Sequence, residues 1–338
     1  MNILYIGPYR GYGDDSEISR LYLMGLAQKH NVTARPVFLS ERTTHVNQDI
    51  LGLEKNILNE YDCCIQHLPL NMLTYSARFK QNIAIPISDP LTRINSIPII
   101  NQLNLFDSIV VNNQNEEVML VRSDIKPKIK KITCPINLGM AKEIKDKKFD
   151  FGIHNNNHKF YFFGNYREDL EIINKIILSF YLAFRCRDKT SLIMVLEGSE
   201  QDQEHLNKTR REMKEQLEIV PFNNSINDIY IFDRLSETDQ LVIHNSCNTL
   251  LSLYPRDSML QKQYALFFGN NIIDKNNTDV VEVPYSRSSN NTRYSPGDAI
   301  ESIITQNIVS NMIHYASNGN SKSQQDIHIL TNKTSDII

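Results

Sequence analysis

A chain of 338 residues, 41% hydrophobic and 22% charged, is long enough for two ordinary cores and too apolar for a disordered polypeptide. Its net charge of −3 gives no general attraction to nucleic acid, so such a partner is disfavoured apart from a local basic patch. The apolar run Ile3–Ile6 is short for a signal peptide and no run is long enough to span a bilayer. The five cysteines (Cys63, Cys64, Cys134, Cys186 and Cys247) lack zinc-site spacing, so the expectation is a reduced, cytoplasmic protein without a bound metal or other cofactor.

The N-terminal run Asn2–Ile6, broken by Gly7-Pro8, predicts a central parallel strand. The glycine loop Arg10–Ser16 follows, then a helix with Ile18, Leu21, Tyr22, Gly25 and Leu26 on one face. A loop of this kind before a helix N-terminus suits phosphate, which makes Gly11 and Gly13 candidate donor-binding positions. The full Gly-x-Gly-x-x-Gly fingerprint is missing, which disfavours a dinucleotide-dependent dehydrogenase. Further strands are expected at Val32–Phe38, Asp62–Pro69, Asn82–Ile87, Phe106–Val111 and Lys131–Cys134. Helices are expected near Asn47–Asn59, Ile94–Leu105 and Asn115–Ser123. Apolar strands alternating with helices mean a parallel sheet covered on both faces. His67 and Asp89 each fall at a strand end, the edge where such sheets bind ligands. Either could serve as a general base toward a hydroxyl, or be a strand-end histidine and a turn-forming aspartate.

Gly139–Lys159 is polar and reads as an exposed linker. The alternation then restarts with Phe160–Gly164, a helix over Glu168–Phe184, the strand Ser191–Gly198, a charged helix over Gln203–Gln216, the strand Ile229–Asp233 and a helix from Ser236. The stretch Ser246–Ile273 reads as a buried strand (Thr249–Leu253), a turn at Tyr254–Ser258, a short helix, a stop at Gly269 and another strand. Asp257 or Ser258 is suited to the N-cap, and Gly269 to the left-handed residue that ends the helix. The turn at Tyr254–Ser258 is therefore a candidate substrate site. Past a polar loop with Arg287 and Arg293, a helix from Pro296 places Ile300, Ile303, Ile304, Ile308, Met312 and Tyr315 on one face.

The same stretch resembles the donor-site segment of retaining GT-B glycosyltransferases of family four. There a strand ends in Ser-x-x-Glu-Gly-x-Gly, a helix follows, and Glu-Ala-x-x-x-Gly-x-Pro-Val-Ile closes the unit. Setting Ala265, Gly269 and Ile272–Ile273 on that ending puts Arg256 and Tyr264 where the family has its two glutamates. Elsewhere Gln66-His67-Leu68-Pro69, Ser88-Asp89 and Asp107–Asn113 follow the family's order of strand ends, with Asn112 replacing a serine. Arg167 can stand for one of the basic residues that hold the donor phosphates, while Glu197 stands where a lysine is expected. The resemblance implies an α/β protein of two doubly wound Rossmann-like domains facing across a cleft, the GT-B architecture. Residues 1–150 would form an acceptor-side domain and residues 151–300 a donor-side domain. A helix over 296–317 would cross back to the first domain, with a polar tail at 318–338. The implied function is metal-independent sugar transfer from a nucleotide-sugar donor to an unidentified acceptor, with Arg167, Tyr254, Arg256, Asp257, Ser258 and Tyr264 on the donor. Because both glutamates are replaced, the alternative is a catalytically inactive GT-B-like partner subunit. A third reading, glycosylation of modified DNA, rests only on the loop at Arg287–Arg293. A homo- or hetero-oligomer stays open.

Overall fold

The structure is a computed structural model that describes residues 1–39, 43–87, 96–112, 114–154, 156–184, 188–217, 228–233, 235–253, 258–274 and 296–317. The chain divides into two compact units: Met1–Leu138 together with Met259–Gln263 form the first, and Gly139–Ser258 with the described residues from Tyr264 onward form the second.

In the first unit β1 (Asn2–Gly7), α1 (Asp14–Ala27), β2 (Asn31–Pro36), α2 (Gln48–Lys55) and β3 (Cys63–Pro69) come in order. They are followed by β4 (Gln81–Ile87), α3 (Ile97–Leu103), β5 (Ser108–Val111), α4 (Gln114–Arg122) and β6 (Lys128–Lys131). Among the described residues these strands form one sheet in the order β2-β1-β3-β4-β5-β6, all neighbours parallel. The first six residues of β3 are buried, as expected for a strand covered on both faces. Leu68, Ala84, Ile109, Val111, Leu103 and Leu120 form the core on one side. From α1, Tyr22, Leu23 and Leu26 are buried. The last strand lies earlier than the sequence suggests. It is an edge strand whose lysines discourage pairing with another chain.

The second unit contains α5 (Leu138–Glu143), β7 (His158–Asn165), α6 (Leu170–Ala183), β8 (Thr190–Glu197), α7 (Glu200–Gln216) and β9 (Asp228–Ile231). Then come α8 (Glu237–Ser246), β10 (Thr249–Ser252), α9 (Met259–Phe267), of which Met259–Gln263 count with the first unit, β11 (Asn271–Asp274) and α10 (Pro296–Ser317). Its parallel sheet has the order β11-β10-β7-β8-β9 among the described residues. Along β7 the side chains alternate between two cores. Phe160 and Phe162 pack with Ile173, Ile176 and Phe180, while Tyr161 packs with Ile193, Ile243 and Ala265.

One expectation is revised. The stretch after Gly139 is not a bare linker. Ala141 and Ile144 are buried, and Phe149, Phe151 and Ile153 pack on the second core. The Asn245 amide donates to the carbonyls of Ile144 (3.1 Å), Lys145 (2.8 Å) and Lys147 (2.7 Å), so a distant side chain satisfies backbone that its own composition leaves open. The first unit's longest run ends at Leu138. In the final helix Ile308 and Met312 pack in the core around α6. No helix among the described residues is long and apolar enough to cross a membrane. Cys63, Cys64, Cys134 and Cys247 are free and buried.

Candidate functional site

Parallel sheets bind ligands beyond the carboxyl ends of their strands, so each sheet is read at that edge. In the first unit β1 delivers the chain into the loop at residues 8–13. Gly11 donates to Pro8 O (2.7 Å), and a Cβ on Gly11 would lie 2.6 Å from Ser16 Oγ. Gly13 precedes α1 at φ 90°, a conformation costly for any other residue. Arg20 clips this loop to α1, donating to Tyr9 O (3.0 Å) and Gly11 O (3.1 Å) while gripping Glu17. Arg10 is likewise held by Glu54. Asp14, Asp15 and Glu17 occupy the first turn of α1, where they complement the helix dipole. Each would oppose a phosphate there by about 1 kcal/mol at 4 Å in water. The loop is thus tightly packed at Gly11 and acidic where it enters α1.

His67 ends up 2% exposed. Its Nδ1 lies 3.2 Å from the Tyr5 hydroxyl, which also meets Ser19 Oγ at 2.9 Å, and the edge of Tyr22 packs against it. Burial pushes its pKa down to about 3, so the ring is neutral at pH 7. A group so far from neutrality accepts a proton poorly. Asp89 lies outside the described residues, as do Tyr254, Arg256 and Asp257.

At the carboxyl edge of the second sheet, Arg167 follows β7 on a loop whose backbone is closely specified. Asn165 Oδ1 accepts from the N–H of Arg167 (3.1 Å) and Glu168 (3.3 Å). Asp169 Oδ2 accepts from Asn165 N (2.7 Å), and Tyr166 N donates to Glu197 O (2.8 Å), which ties the loop to β8. Gly164 permits the turn, since a Cβ there would sit 2.4 Å from the Phe162 ring and 2.9 Å from Asp169 Oδ2. The Arg167 side chain is 68% exposed and pairs with Asp202, its Nε reaching Oδ1 at 3.0 Å and Oδ2 at 3.1 Å. Glu197, at the end of β8, is exposed.

Ser258 stands immediately before α9 and is half-buried. Helix α9 has no acidic residue in its first turn, unlike α1, α7 and α8, so its positive end is the least opposed of these. Tyr264 lies on the inner face of α9, 3% exposed, with its hydroxyl 3.3 Å from Glu237 Oε1 and its ring beside His244. It is a packed core residue at the position the resemblance gives to a glutamate. The structure thus groups Arg167 with Ser199 and Asp202, and groups His67 with Tyr5 and Tyr22. Asp202 was not singled out from sequence. The Ser199-x-x-Asp202 spacing announces a helix N-cap, which it forms, but not the link to Arg167.

No protein-family model matches the sequence, and no curated protein matches it. Solved structures do match in three dimensions. Apo OtsA aligns with a TM-score of 0.57 at 9% identity, covering 94% of this chain and 98% of that one. Sucrose-phosphate synthase from Thermosynechococcus elongatus aligns with a TM-score of 0.51 at 12% identity, covering 96% and 94%. Anabaena Alr3699/HepE, in complex with UDP and glucose, aligns at 0.50 and 11% identity, covering 96% of both chains. These are GT-B glycosyltransferases, and the chain has the GT-B fold, with one parallel α/β domain on each sheet.

Proposed function

We propose that the protein transfers a sugar from a nucleotide-sugar donor to a hydroxyl acceptor, with the donor on the second domain and the acceptor on the first. The observation that carries this reading is Arg167, presented to solvent from a rigid loop at the carboxyl edge of the second sheet. An arginine so placed can hold a diphosphate through two parallel hydrogen bonds. The fold supports the same reading, as do the UDP and glucose bound to the HepE structure. The resemblance to family four adds Arg256, Tyr254, Asp257 and Ser258 at the start of α9, with Arg256 and Tyr264 replacing the two glutamates.

In the reaction the acceptor oxygen bonds to the sugar's anomeric carbon while the bond from that carbon to the phosphate oxygen breaks. The electron pair leaves with the nucleotide diphosphate. Arg167, Arg256 and the N–H groups opening α9 stabilise that charge, so the reading invokes no metal. The acceptor's proton passes to a base, for which Asp89 is the candidate. His67, neutral and enclosed, holds Tyr5 and the end of β3 in place beneath the acceptor side. Gly11 and Gly13, donor-binding candidates in the sequence, are assigned to the acceptor instead, because the acidic first turn of α1 opposes a phosphate there.

Thermal unfolding in the presence of nucleoside diphosphates tests the proposal. A diphosphate at a hundred times its Kd adds about 2.7 kcal/mol, which raises the Tm of the second domain by several degrees. Arg167→Ala should reduce the shift. No shift with UDP, GDP, ADP or TDP would refute the donor site and leave a non-catalytic GT-B protein.

A further inference from the structure

Arg167 meets Asp202 side-on. Both Asp202 oxygens take the Nε side of the guanidinium, Nη2 comes within 3.4 Å of Ser199 Oγ, and no described residue contacts Nη1. Asp202 is itself fixed, because Oδ2 accepts from the Ser199 N–H (2.8 Å) and hydroxyl (2.7 Å) as part of the capping box that opens α7. We infer that Asp202 is a positioning residue that orients the Arg167 guanidinium in advance, so that its outer Nη edge is offered to an anionic ligand beyond β7. The inference rests on the proposed donor site.

An arginine with 68% of its side chain in solvent would otherwise sample many rotamers, and a ligand would have to order it on arrival. Holding it beforehand removes that cost. The Ser199 N–H and hydroxyl, followed by Arg167, push the Asp202 carboxyl down to about 2, so it is ionised at neutral pH. A carboxylate that served only to neutralise Arg167 would face its Nη edge and block the bidentate approach of a phosphate. Asp202 leaves that edge clear.

A double-mutant cycle on UDP affinity by titration calorimetry tests this, using the full-length wild type, Asp202→Ala, Arg167→Ala and the double variant. Asp202→Ala should weaken binding by up to about tenfold in the wild-type background and have almost no effect once Arg167 is alanine. Equal losses in both backgrounds would mean that Asp202 acts only by capping α7, and tighter binding would mean that it masks Arg167. Either result overturns the inference. Should Asp202→Ala not fold, the cycle is run with Asp202→Asn, which keeps an acceptor for the Ser199 N–H. Wild type that binds none of UDP, GDP, ADP and TDP refutes the donor site along with the inference; where one of the others binds in place of UDP the cycle is run with that nucleotide, and binding without coupling refutes the inference alone.

Discussion

Acidification should destabilise the first domain through His67. In the native state burial holds its pKa near about 3, whereas the unfolded chain has the ordinary 6.5. The folded value is the depressed one, so the contribution is fully present above pH 6.5 and is lost as pH falls toward 3. At pH 5 the unfolded imidazole is protonated and the native one is not. One and a half units at 1.36 kcal/mol each give a loss of about 2 kcal/mol relative to neutral pH. The groups facing His67 do not blur this signal, because burial raises the Tyr5 and Tyr22 hydroxyls away from the range and Ser19 does not titrate. Urea unfolding at pH 7 and pH 5, followed in wild type and His67→Gln, measures it. The wild type should lose about 2 kcal/mol more than the variant between the two conditions. His158, pushed down to about 4 in the second domain, remains in both proteins and cancels from the comparison. Equal pH dependence in the two proteins would show that His67 is not enclosed as described, and would restore it as a base.

Asp228 lies almost wholly buried between Arg210 (2.6 Å) and Lys214 (3.4 Å), and it also accepts from the Tyr181 and Tyr230 hydroxyls. Asp228→Ala strands a largely buried guanidinium and should cost roughly 3 kcal/mol in urea unfolding of the second domain; a loss below about 1 kcal/mol would mean solvent reaches the cluster freely. Asn245→Ala removes an NH2 group whose two hydrogens are shared among three carbonyls after α5, worth about 2 kcal/mol together. It should also open Lys145–Lys148 to limited trypsin digestion, and an unchanged digestion pattern would contradict the anchoring described.

Much of this architecture was legible along the chain. Fully apolar strands alternating with helices implied two parallel sheets, because a strand covered on both faces cannot show polar alternation. Gly13 and Gly269, with φ of 90° and 74°, sit where a loop opens a helix and where a helix closes. The charged helix expected over Gln203–Gln216 is α7, which opens three residues earlier at Glu200. These features depend on a residue and its near neighbours, and periodicity or turn chemistry records them directly.

Tertiary structure decided the rest. His67 reads as a strand-end histidine in sequence, and only the packing of Tyr5 and Tyr22 makes it a neutral core residue. Gly139–Lys159 looks like exposed linker until Asn245, about a hundred positions away, satisfies the carbonyls of Ile144, Lys145 and Lys147. The placement of α10 on α6 and the pairing of Arg167 with Asp202, 35 residues apart, are likewise absent from any local pattern. A residue's own spacing encodes which side of an element it faces. Its environment is set by whichever distant residues are folded against it, and that environment determines whether it carries charge, a proton or neither.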